Sequence, residues 1–370
     1  MGSVHFLSAL LLGLIILLPR KSKLSLAFST QQKQQNRPSH RLSSLPPPTP
    51  KDEATEQLYD RQGILTGEMK LRTTQKSVAG RGVFLDTDAD QKNMGDILAY
   101  VPWRVVLSQS TAASQYPDLH KRLSGSDDNS VAEKLEWPIT LAAYARHVLE
   151  GTNNQNFWSH FIKGWEGGHP RFLTRRPEDY GEEELQSLAE QARSSPDKVR
   201  KLLEVRWIDY RRQTKILREA LQQQHDKVED GGGDNPTSSP YQIIPSNLYE
   251  AVLSRVISLT EFLENGDKKR HHCVVPFHDM INHNNDVTKN NVALYSVAAI
   301  RHMAPVDLDQ MNADVELDLK ALDERDLCVV AIQPISPGEE VFNSYDYEDQ
   351  GRLTEERRVW KLLQYGFPME

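Results

Sequence analysis

The sequence predicts an α+β fold: a mostly-β domain split into two halves by a large helical insertion. Three observations predict it. Short β-rich runs separated by turns (VFL, DILAYVP and RVVL) fill residues 80–108. Apolar residues at helical spacing dominate from about residue 131 to 266. The chain then returns to β character in NVALYSVAAI (291–300), DLCVVAI (326–332) and EVFNSYD (340–346).

The N-terminus reads as an address. FLSALLLGLIILL (6–18) has signal-peptide length, and residues 28–51 are rich in Ser, Gln and Pro. Residues 1–51 carry seven Lys/Arg and no acid. The tract resembles the bipartite presequences of algae with secondary plastids, and that resemblance makes plastid import the expectation. The alternatives are the endomembrane system, or a signal anchor held by Arg20, Lys21 and Lys23. Residues 1–51 are therefore set aside as presequence and linker, ending in the stiff SSLPPPTP (43–50). No stable membrane association is expected once they are removed.

The rest of the 370-residue chain holds 37 basic and 52 acidic side chains, which argues against a nucleic-acid partner. Two cysteines, Cys273 and Cys328, exclude a disulfide scaffold, and no CxxC occurs. Residues 65–115 form the N-terminal half of the β domain, in which 80–108 reads as an antiparallel hairpin region. The insertion, 116–268, contains VAEKLEWPITLAAYARHVLEG, NQNFWSHFIKGW, GEEELQSLAEQARSS and a long helix near 197–224. In that last helix Val199, Leu203, Trp207, Tyr210, Leu217 and Leu221 make one stripe, and its Lys and Arg residues make the solvated face. A flexible, glycine-rich loop (227–241) and a further helix, 246–266, complete the insertion. Residues 269–370 form the C-terminal half.

HHCVVPFHDMINHNND (271–286) concentrates ligand-type side chains without metal-ligand spacing. His278 and His283, five apart, would stand about 140° out of register on a helix. No metal is expected. No GxSxG is present for a serine hydrolase.

Four pieces read together are more specific: Gly80-Arg81-Gly82-Val83-Phe84, VPFHDMINH (275–283), GEEVFNSYDY (338–347) and QYGF (364–367). Their order and spacing resemble the SET-domain protein methyltransferases, in the branch around Rubisco large-subunit lysine methyltransferase. The resemblance covers residues 70–370. It implies a threaded, pseudoknotted SET domain, S-adenosylmethionine (SAM) as cofactor and a protein substrate. Gly80, Arg81 and Gly82 would cradle SAM through their backbone, with Asn282 and His283 holding its other parts. Tyr345 would be the catalytic tyrosine and also touch the cofactor. Arg255, Asp279, Tyr365 and Phe367 would line the substrate side. The implied reaction is methyl transfer to a side-chain nitrogen, most simply lysine. Histidine is a minority target, and a non-catalytic SET-fold binding module is the alternative from another class.

The sequence departs from the family at Ala79, where the plant enzyme's motif carries an acid, and in the charged segment after Tyr347. Rubisco-methylating relatives continue into a helical docking domain, while this sequence reaches only Glu370. That counts against Rubisco or another large docked substrate and leaves open a truncated gene product. Oligomeric state is not legible.

Overall fold

A computed structural model describes residues 45–75, 77, 80–124, 135–150, 157–163, 165, 172, 174–228, 246–262, 268–284, 286–303, 317–344 and 354–365. The address segment 1–44, Ala79, most of the 227–241 loop, Tyr345 and Phe367 lie outside the described residues.

The fold opens on helix α1, Pro50–Arg61, inside what reads as linker. The local chemistry explains this. Thr49 caps the helix, Pro50 stands at its first position, and Thr49 and Asp52 form a reciprocal capping box. Strands β1 (Met69–Thr73) and β2 (Arg81–Leu85) then pair antiparallel. Strand β3 (Ile97–Val101) joins a different sheet, and β4 (Leu107–Ser108) a third. The runs in 80–108 are thus distributed over three sheets instead of forming one hairpin: β2 pairs back with the preceding β1, while β3 and β4 find distant partners in the second half of the chain.

Helix α2 (Gln109–Gln115) closes the N-terminal half, and the insertion packs as helices α3 (Pro117–Ser124), α4 (Trp137–Glu150), α5 (Phe157–Lys163), α6 (Glu182–Gln191), α7 (Pro196–Val228) and α8 (Ser246–Arg255). Val199, Leu203, Tyr210, Leu217 and Leu221 of α7 are buried, as the stripe predicts, with Trp207 packed partly buried beside them.

The helix expected over 246–266 stops at Arg255. Residues Ile257–Phe262 form strand β5, paired in a six-residue register with β6, Lys268–Val274. Ile257 and Leu259 face the core and Ser258 faces out, so the segment follows a period of two. His271, His272 and Cys273 lie within β6. The sheet order here is β4-β6-β5.

The second half contributes β7 (Asn282–His283), β8 (Val292–Ser296), helix α9 (Val297–Met303), β9 (Leu327–Ala331), β10 (Phe342–Asn343) and helix α10 (Glu355–Tyr365). VAAI is helical where a strand is expected: the Ser296 hydroxyl accepts the Ala299 N–H at 3.1 Å and caps α9. The central sheet runs β3-β9-β8-β10-β7, antiparallel except where β10 lies parallel to β8 and β7. Strands β3 and β9 are buried along their whole length. One face joins the main core, while Ile97, Tyr100, Cys328 and Val330 meet Val297 and Ile300 in a second cluster. That accounts for the unbroken apolar runs ILAYV and LCVVA.

Candidate active site

The site is built where residues 338–343 join the two halves of the β domain. On one side this segment bonds β2, with Val341 N donating to Val83 O at 2.8 Å and Leu85 N to Glu339 O at 3.0 Å. On the other it places Phe342 and Asn343 opposite Asn282 and His283. Asn291 braces the junction by accepting Phe342 N at 2.8 Å and donating to Glu340 O at 3.1 Å.

A polar cluster occupies the junction. The Asn282 amide nitrogen lies 2.9 Å from Ser77 Oγ, 2.8 Å from Arg81 O and 2.9 Å from Glu340 Oε1. Ser77 Oγ donates to the same carboxylate oxygen at 2.8 Å. Burial raises the Glu340 pKa, and the bonds from Asn282 and Ser77 oppose that shift. Gly82 is required by this packing. A Cβ there would stand 2.3 Å from Glu340 Oε1 and 2.9 Å from Ser77 Oγ. Gly80 is required by its backbone instead, with φ at +76°.

Arg81 contributes its carbonyl but not its side chain. The guanidinium turns away to α1, where Nε meets the buried Asp52 at 2.8 Å. His283 is buried, and its Nδ1 lies 3.3 Å from Asn343 O. A carbonyl only accepts, so the ring carries its proton on Nδ1.

Next to Asn282 the chain makes a sharp turn. Phe277 has φ +68° and ψ −51°, close to the strained γ-turn conformation, and its ring is held edge-on to Tyr59 at 6.0 Å. The turn sends His278 and Asp279 inward. His278 Nε2 accepts from the Asn343 amide, and burial lowers its pKa to about 4, so it stays neutral. Asp279 has a fully buried carboxyl, raised to about 6 by burial against the pull of Arg255 and Arg81. Arg255 Nε stands 3.5 Å away, an ion-pair distance without hydrogen-bond geometry. Neither carboxylate oxygen has a hydrogen-bond partner among the described residues.

Asp279 and Arg255 line a cavity of about 380 Å³ between the end of α8 and α10. Tyr365 and Trp360 also line it, as do Arg357 and Lys361. Lys361 Nζ lies 5.4 Å from the Tyr365 ring centre, and Arg206 stacks over Trp360 at 3.7 Å. The Arg255 guanidinium is held over Trp165 at 5.3 Å.

The structure therefore brings Gly80, Gly82, Asn282 and His283 to one junction. It brings Arg255, Asp279 and Tyr365 to one adjoining cavity. Ser77, His278, Glu340 and Asn343 have no assigned role at the level of sequence. Glu340 and Asn343 sit in the GEEVFN run and His278 in VPFHDMINH, motifs that could have signalled them, whereas Ser77 sits in none. The remaining histidines of 271–286 serve packing: His271 meets Trp103 edge-on at 5.7 Å, and His272 stacks on Trp137 at 4.4 Å.

No protein-family model matches the chain, and no curated protein matches it. Among solved structures it is similar to the SET domain of LSMT bound to lysine and AdoHcy, at 18% identity and a TM-score of 0.49 over 87% of this chain. It is also similar to Rubisco LSMT bound to sinefungin and monomethyllysine (17%, TM-score 0.47, 86% of this chain) and to Rubisco LSMT bound to AdoMet (16%, 0.46, 86%). The chain spans 58%, 56% and 57% of those chains respectively.

Proposed function

We propose that this chain is a SAM-dependent protein methyltransferase of the SET-domain type, acting on a lysine side chain. The observation that carries the reading is the convergence of four motif segments far apart in sequence. Residues 80–82, 282–283 and 340–343 meet at one junction, and the turn through Asp279 leads into the cavity edged by Arg255 and Tyr365.

The residues fit the cofactor. Among the described residues, no atom beyond its chain neighbours lies within 4 Å of where a Cβ would stand on Gly80, which leaves that face free to approach a ligand. Strand β7 is the edge of the central sheet, and an edge strand presents backbone N–H and C=O groups outward. Gly80, Gly82, Asn282 and His283 would hold SAM through such groups. When bound, SAM supplies an electrophilic methyl group on a sulfonium.

The chain's own part is positioning and deprotonation. A lysine has an ordinary pKa near 10.4, so its ammonium must lose a proton before it can attack. Among the described lining residues, Arg255, Arg357 and Lys361 stand against the single acid Asp279, and a cationic, partly apolar wall disfavours the ammonium. Trp360 and Tyr365 offer aromatic faces to a methylated cation. Tyr345 would orient the nitrogen through its hydroxyl. The run of 338–343 between β2 and β7 supports the threaded arrangement as part of the same proposal. Plastid delivery, proposed on residues 1–51, is tested by fusing them to a fluorescent protein.

The deciding experiment is calorimetry with SAM, followed by radiolabelled methyl transfer into cell extract and mass spectrometry of labelled proteins. Binding with transfer to lysine is the expected result, and Tyr345→Phe should remove transfer while leaving binding nearly intact. Label on histidine would reassign the target. Absence of SAM binding would overturn the enzyme reading in favour of a binding module.

A further inference from the structure

Helix α1 presents one face to the site. Asp52, Glu56 and Tyr59, at i, i+4 and i+7, share it. The Asp52 carboxyl is fully buried and accepts five bonds. They come from Thr49 N and Oγ1 at 3.0 and 2.7 Å, Thr73 N and Oγ1 at 3.2 Å each, and Arg81 Nε at 2.8 Å. Glu56 Oε1 accepts Leu71 N at 2.8 Å and Arg72 Nη1 at 3.2 Å.

The spacing explains why two carboxylates suffice. Residues four apart on a helix are separated by about 6 Å along its axis. The outward N–H groups of Leu71 and Thr73, two apart on a strand, are separated by about 6.8 Å. The helix runs antiparallel to β1, so Asp52 meets Thr73 and Glu56 meets Leu71. The two carboxylates stand where a third strand would otherwise pair.

Asp52 reaches further than β1. Thr73 and Arg81 are cross-strand partners at the closing end of the β1–β2 hairpin, and one carboxylate bonds both. Beyond that pair lie Ser77 and Gly80, and Gly82 follows Arg81 within β2 against the polar cluster. Tyr59, about two turns along the same helix face, buttresses Phe277 at the head of the turn carrying Asn282.

We propose that Asp52 and Glu56 form a carboxylate clip that fixes Ser77, Gly80 and Gly82 against Asn282. They would thus be positioning residues for the cofactor side of the site. Its bearing on SAM rests on the methyltransferase reading, but the clip itself is testable without it. In the full-length protein, Asp52→Asn should speed hydrogen exchange at Thr74, Ser77 and Gly80 by at least tenfold. Their N–H groups close the turn onto Gly80 O, Thr74 O and Ser77 O. Amides of α7 should not change. Arg81→Gln, which cuts the clip from the strand side, should reproduce the effect if Asp52→Asn fails to fold. Unchanged exchange at those three amides in whichever variant folds would overturn the proposal.

With SAM, both variants should bind at least tenfold more weakly than wild type. Leu203→Ala in α7, chosen to lower the melting temperature without touching the site, should bind normally. Equal loss of affinity in Leu203→Ala would reduce the clip to general stability. Wild type that fails to bind SAM would sink the methyltransferase reading and leave the exchange result standing.

Discussion

The amide of Asn282 and the carboxylate of Glu340 meet at 2.9 Å across 58 residues of chain, with Gly82 packed against both. The contact links the turn at Gly80 and Gly82, the Asn-His strand and the GEEVFN segment. Removing any one member leaves the other two facing a cavity or an unpaired charge.

Gly82→Ala should therefore be costly although it adds only a methyl group. The new carbon would stand 2.3 Å from Glu340 Oε1, so either the carboxylate or β2 must move. Overpacking of this kind costs about 1–3 kcal/mol. Urea unfolding would measure it, and a variant as stable as wild type would contradict the packing.

Asn282→Ala removes an amide donor from a buried carboxylate, at a cost of about 1–3 kcal/mol. Glu340→Gln in that background should recover part of the loss, because it removes a buried charge left with only the Ser77 hydroxyl as donor. A double-mutant cycle reads the coupling directly. Strictly additive effects would show that the two groups do not interact.

His278 and Asp279 are neighbours whose titrations oppose each other. His278 falls to about 4 in the fold, so its contribution to stability is complete above 6.5 and is lost as pH falls toward 4. Asp279 rises to about 6, so its contribution is present below 3.8 and is lost as pH climbs to 6. Between pH 4 and 6 the two slopes oppose. Asp279→Asn should expose the histidine alone, with stability dropping by about 3 kcal/mol from pH 6.5 to 4. His278→Gln should show the reverse, a gain of about 3 kcal/mol as pH falls from 6 to 4. Denaturant titrations at fixed pH test both, and parallel curves in the two variants would refute the assignment.

Thr49→Ala should cost about 1 kcal/mol by removing the cap of α1. Because Thr49 also donates to Asp52, the loss should be larger than for Thr55→Ala, a half-buried position on the same helix that bonds Arg81. Thermal unfolding of the two variants compares them, and an equal loss would deny Thr49 its special place.

The sequence by itself determined the features that local chemistry controls. The stripe of α7 comes from side-chain spacing. The glycines at 80 and 82, the Asn-His pair and the tyrosine at 365 are visible as motifs, and their order identified the segments that had to meet. Elements that depend on a distant partner were decided only by tertiary structure. Residues 256–262 continue a helical-looking run, yet pairing with β6 makes a strand of them from Ile257 onward. Of the runs in 80–108, which look like one hairpin, β2 pairs with its neighbour β1, but β3 and β4 find distant partners in β9 and β6. Burial is likewise a property of what packs around a group. Nothing local to HDM indicates that His278 is held neutral by burial, or that Asp279 is a carboxyl near pKa 6 at the wall of a cavity. Backbone propensity and spacing are written along the chain, whereas strand pairing and desolvation depend on residues tens to hundreds of positions away.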